Sequence, residues 1–136
     1  MVRIASTCAR DYTVHDWNVF KEHLDTWNAE TGYHSNLAIR FDHPSYEHLR
    51  EHATFYLPFI LLTMTVRPQF FFELLSQVTG ITTFELPQQA GNIQTMTDCW
   101  VKWGLDEGFL EFEQYEDSEY RARIEAAPIY ISEFRE

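Results

Sequence analysis

Residues 43–80, "HPSYEHLREHATFYLPFILLTMTVRPQFFFELLSQVTG", decide the fold, because three prolines punctuate an otherwise helical pattern. Pro44 stands where a helix starts, since its missing N–H is one that the first turn never uses. Tyr46, Leu49, Ala53 and Leu57 share one face at helical spacing, which predicts a helix over 44–54. Pro58 fits the first turn of a further helix, "LPFILLTMTV", better than the interior of a continuing one. Pro68 opens the next, "PQFFFELLSQVTG", with Phe71, Leu74, Leu75 and Val78 on one face and Gly80 as its C-terminal stop.

Towards the N-terminus the signals are clear. "VRIAST", 2–7, alternates as a short edge strand would. Thr13 is placed as an N-cap, with Asp16 at the capping-box position. Trp17, Phe20, Leu24 and Trp27 follow at helical spacing up to Gly32. "YHSNLAIRF" reads as an extended connector or a short strand. Towards the C-terminus, "ITTFELPQQAGNIQ" reads as mostly loop with room for one helical turn, and "QTMTDCWVKWGLDEG" as a helix stopped by Gly108. The period then switches to two. "FLEFEQY" and "EYRARIEA", around the turn "EDS", predict a β-hairpin, and "IYISEF" a third strand. The expected fold is mainly α (α+β). Short proline-punctuated helices form a HEAT-like or winged-helix-like bundle, with a C-terminal β-hairpin or small sheet.

The totals set bounds on function. A chain of 136 residues, 45% hydrophobic, is one domain, 1–136, with enough apolar surface to exclude intrinsic disorder. Eleven Phe, seven Tyr and four Trp either fill a core of large side chains or leave anchors for a partner. The net charge of −11 is unevenly spread. Residues 1–67 carry 6 basic and 8 acidic groups, net −2, whereas 68–136 carry 4 and 13, net −9. An acidic half repels nucleic acid and anionic membrane and attracts basic surfaces, though solubility alone accounts for many such faces. The most apolar run, 55–66, is shorter than the roughly 20 residues a bilayer requires. Cys8 and Cys99 form no metal-binding pair and read as reduced thiols of a cytoplasmic protein.

"HPSYEHL", "LPFIL", "FELLSQVTG" and "DCWVKWGLDEG" occur here in an order that resembles an uncharacterised group of small bacterial helical proteins. That group shows H-P-x-Y, L/I-P-x-I-L, T-G and W-x-x-W-G, and the resemblance covers residues 27–108. Here the glycine expected before "LPFIL" is lacking, and the C-terminal hairpin is additional. The resemblance implies a helical fold and no activity.

"HLREH", 48–52, fits the H-x-x-E-H signature of zinc peptidases. On a helix His48 and His52 would stack on one face, roughly 6 Å apart at Cβ, with Glu51 beside them to activate a water. No third ligand sits in a recognisable ligand helix, although Glu119 and Glu125 lie downstream. With six histidines and fourteen glutamates, one chance hit among the many motifs that could match is unsurprising, so we read His48, Glu51 and His52 as a surface helix. A zinc-dependent hydrolase is the alternative. His34 and His43 flank the segment, so a cluster of four is conceivable. Neither cysteine matches an enzyme signature, and no glycine-rich phosphate loop exists.

Residues 68–125 mimic the element order of a winged helix. Its recognition helix would offer Lys102 alone beside Asp98, Asp106 and Glu107, so DNA binding through it is not expected. Glu111 and Glu113, on one strand face about 6.8 Å apart, instead begin a row of carboxylates. Duplex DNA carries a charge every 3.4 Å or so on each strand, so mimicry of DNA would need further acids from neighbouring elements. The leading expectation is a non-enzymatic interaction protein with no cofactor. It binds a basic surface, such as that of a nucleic-acid-binding protein, as an inhibitor or antitoxin of bacterial or phage type would. The residues expected to carry this are Glu111, Phe112, Glu113, Tyr115, Glu116, Asp117, Glu119 and Tyr120. A degenerate winged-helix regulator is the third reading.

Overall fold

The computed structural model describes residues 2–34, 36–66, 71–81, 83–84, 93–113, 118–126 and 130–131. Among them the chain is mainly helical, with eight helices and four short strands. In order these are β1 (Val2–Ile4), α1 (Ser6–Ala9), α2 (Val14–Thr31), α3 (Leu37–Phe41), α4 (Pro44–Glu51) and α5 (Ala53–Val66). Then follow α6 (Phe72–Thr79), β2 (Thr83–Phe84), α7 (Ile93–Asp106), β3 (Leu110–Phe112), α8 (Ser118–Glu125) and β4 (Tyr130–Ile131).

Helix α2 starts as its sequence dictates. The Asp16 amide donates to Thr13 Oγ1 and the Thr13 amide donates to Asp16 Oδ2, so the capping box is complete. Gly80 closes α6 in the left-handed conformation at φ 78°, and Gly108 follows α7 at φ 85°. A side chain at Gly108 would meet open space, so strain alone sets its cost. Gly108→Ala is expected to lower unfolding stability by about 1–2 kcal/mol, read from denaturant titration. An unchanged midpoint would mean that the turn relaxes freely.

Helix α5 is the centre of the fold. It packs against α2, α4, α6, α7, β1 and β3, and buries residues on every side, including Leu57, Pro58, Phe59, Ile60, Leu61 and Met64. The run that the sequence marks as most apolar therefore spans the core, where an all-round apolar helix belongs. Trp27, Phe20 and Phe71 fill the core on one side of it, and Trp100 and Leu110 on the other.

Four local expectations need correction. The break between the helices lies at His52, the C-cap of α4, not before Pro58. The Tyr56 amide already donates to the His52 carbonyl at 2.9 Å, so Pro58 falls inside α5. "LAIRF" is the short helix α3, because Asn36 Oδ1 accepts from the Ala38 amide and starts a turn. The loop after Gly80 contains β2, whose Thr83 and Phe84 pair with Ile131 and Tyr130.

The hairpin is also replaced. β3 pairs antiparallel with β1, in the register Val2–Phe112, Arg3–Glu111 and Ile4–Leu110. "SEYRARIE" is helix α8, with Ile124 fully buried. The small antiparallel sheet thus exists, but its partner strand comes from the far end of the chain. Without a strand at 118–125, the wing of the winged-helix reading is gone.

Candidate functional site

The acidic face begins at β3. Cross-strand register sets Arg3 opposite Glu111, and Arg3 Nε donates to Glu111 Oε1 at 2.8 Å. Ser6 Oγ donates to the same oxygen at 3.1 Å. These bonds, the arginine's first, hold the Glu111 carboxyl below the usual glutamate range. Glu111 is therefore engaged in cross-strand pairing on the exposed face of the sheet. Glu113 lies one residue past β3 and is exposed. Glu119 is exposed in the first turn of α8, where a negative charge complements the helix N-terminus. Tyr115, Glu116 and Asp117 lie outside the described residues.

The two described aromatic anchors are already covered. Arg121 lies 4.8 Å from the centre of the Phe112 ring, and Arg123 lies 5.0 Å from that of Tyr120. Both rings also pack against the core, half-buried. Arg121 pairs with Glu125 at 3.0 Å and Arg123 with Asp98 at 3.1 Å. Lys102 Nζ donates to the Glu125 carbonyl at 3.0 Å. The three described cations of this half are thus all engaged by its own groups.

The "HLREH" residues meet in a different way from a zinc site. His48 lies on α4 and stacks on His23 of α2, with ring centres 3.9 Å apart and planes inclined by 20°. His52 tilts against His48 at 4.6 Å. Nε2 of His48 is 3.0 Å from the Tyr56 hydroxyl, and His23 Nδ1 is 3.3 Å from Ser45 Oγ. Stacked rings direct their lone pairs along parallel planes, not to a shared point. Among the described residues no three His, Cys, Asp or Glu side chains form a group suited to a metal ion. His34 lies against Tyr33 and His43 caps the start of α4, while His23 is a further ring beside His48. The pairing of His23 with His48 comes from the packing of α2 on α4, which no local pattern announces.

Cys99 is buried, and burial, then the charge of Asp98, pushes its thiol up to about 11. Such a group is a packed thiol, not a nucleophile. An apolar cleft of about 360 Å³ lies among Val2, Trp17, Leu24, Leu62 and Val66, with Glu113 at its edge. No described helix is long and apolar enough to cross a membrane. Comparison of the chain with family models, curated proteins and solved structures finds no match.

Proposed function

We propose that this chain is a non-enzymatic interaction protein whose acidic C-terminal half binds a basic protein surface stoichiometrically. The observation that carries this reading is the engagement of Lys102, Arg121 and Arg123 by neighbouring groups of the same half. Those cations serve internal contacts, so the excess of carboxylates on this half sets its outward field. Asp106 and Glu107 add support. They stand at the C-terminal end of α7, where the helix carbonyls disfavour negative charge. A basic surface of a nucleic-acid-binding protein fits this field, and the chain would act on it as an inhibitor or antitoxin does, in a reducing cytoplasm. Glu113 and Glu119 steer the encounter, with Tyr115, Glu116 and Asp117 between them in sequence. Glu111 supports the sheet.

Capture from native lysate at low and high salt supplies the partner, and association kinetics then test the surface. Reversing Glu113 and Glu119 to Lys is expected to slow association about tenfold and flatten its salt dependence, with dissociation little changed. Glu111 stays untouched, because a lysine there would face Arg3 across the sheet. Glu22→Lys with Asp42→Lys is the control. Equal slowing by both pairs would show a general charge effect and sink the assignment of this face.

A further inference from the structure

Helix α4 is held in place by imidazoles at both ends. At its N-terminus His43 is the cap: Nδ1 accepts from the Ser45 amide at 3.0 Å, while Nε2 faces Glu30 of α2 at 3.4 Å. An imidazole in this role must be neutral, with its proton on Nε2, because a protonated Nδ1 cannot accept. Towards its C-terminus His48 is sandwiched between His23 and His52, with Tyr56 of α5 on its Nε2. Three rings this close are compatible while uncharged. Two adjacent imidazolium rings would repel at contact distance, and the stack would lose its flat-face packing.

We propose that α4 is a pH-sensitive element, docked on α2 while its histidines are neutral and released from α2 as they take up protons on the acid side of neutrality. The groups facing the joint do not reverse this. Asp16 and Glu30 lie on α2, Glu51 on α4, and Tyr56 on α5, while Glu47 is paired with Arg50 on the helix itself. Glu73 of α6 bears on Tyr46, whose hydroxyl is pushed up to about 12 chiefly by burial, so Tyr46 stays neutral throughout. With its Nε2 proton facing Glu30, His43 can take a second proton only on Nδ1, the atom that caps the helix. Glu51 favours a charged His48, but is outweighed. Burial first, then His23 and His52, hold His48 below the ordinary imidazole range.

The direction follows from linkage. In the released state the ring binds a proton as an ordinary imidazole does, near pH 6.5. In the docked state it binds one only at lower pH. Docking is therefore at full strength above about pH 6.5 and weakens as pH falls from there to the docked ring's own pKa. Each unit between the two values is worth about tenfold in the docking equilibrium.

Amide hydrogen exchange of the whole chain at pH 7.5 and 5.5, expressed as protection factors, tests this. Protection of α4 amides is expected to fall several-fold between the two, with α7 little changed. In the double variant His43→Asn, His48→Gln, which keeps a capping side chain and removes the two imidazoles on which the joint depends, the fall should shrink to about twofold. An undiminished fall in the variant would overturn the proposal. Imidazole NMR of the unaltered protein is the second measurement, free of any risk to folding. His48 titrating as a free imidazole, with no loss of α4 protection as it does so, would equally overturn it.

Discussion

Replacing Trp27 by alanine is expected to destabilise the protein by about 3–5 kcal/mol, a large share of the stability of a domain this size. The side chain is fully buried where α2, α3, α4 and the start of α6 meet. Its ring contacts Tyr46 at 5.2 Å and Phe71 at 5.3 Å, and the Arg40 guanidinium lies 5.3 Å from its centre. The indole N–H also donates to the Arg40 carbonyl at 2.6 Å, which satisfies a carbonyl that the last turn of α3 leaves without a helical partner. Alanine would lose the packing, open a cavity and remove that donor. Trp27→Phe separates the effects: it keeps most of the apolar volume, so the remaining cost of about 1–3 kcal/mol reports mainly the lost donor. Urea unfolding of both variants provides the comparison. A Trp27→Ala midpoint within error of the parent's would mean that the α2–α4 side of the core contributes little to stability.

The elements that were legible in the sequence are those whose causes are local. Thr13 and Asp16 announce the start of α2 because both halves of a capping box lie within four residues. Trp17 to Trp27 announce its buried face by spacing, and Gly80 and Gly108 the ends of α6 and α7 by their need for positive φ. Pro58 misled because proline reads as a boundary, yet the boundary is His52 and the proline is accommodated within a buried helix. The C-terminal alternation misled for a deeper reason. "LEF" is a strand, but nothing in its neighbourhood says that its partner is "VRI", more than a hundred residues earlier. Given that pairing, "SEYRARIE" is free to turn Ile124 into the core as a helix, with Arg121 and Glu125 paired at i, i+4. The candidate site divides in the same way. Its charge asymmetry is a sum over residues and needs no fold, whereas the commitment of Glu111 to Arg3 and the stacking of His23 on His48 are products of tertiary packing.

The crossing of α5, α7 and β3 gives the second large effect, and one that can be reversed. Leu61 is fully buried on α5, and truncating it to alanine is expected to cost about 2–5 kcal/mol through lost burial and the cavity left behind. Gly104 of α7 faces it. A Cβ at position 104 would lie 3.0 Å from Leu61 Cδ1 and 3.2 Å from Leu110 Cδ1, so the two elements approach closely because there is no side chain between them. Gly104→Val alone should therefore overpack the site and cost about 1–3 kcal/mol, despite relieving the poor helix propensity of glycine. In the double variant the valine methyls enter the space that Leu61 vacates. The two costs should then fall short of adding by at least about 1 kcal/mol, well beyond the error of independent sites. Gly104→Ala offers a finer gauge: its single methyl requires the leucine tips to give by a few tenths of an ångström, and its gain in helix propensity opposes that strain. It should be close to neutral in the parent and stabilising in the Leu61→Ala background. Strict additivity across this cycle would mean that α7 does not cross α5 at Gly104, and the central packing described for α5 would have to be redrawn.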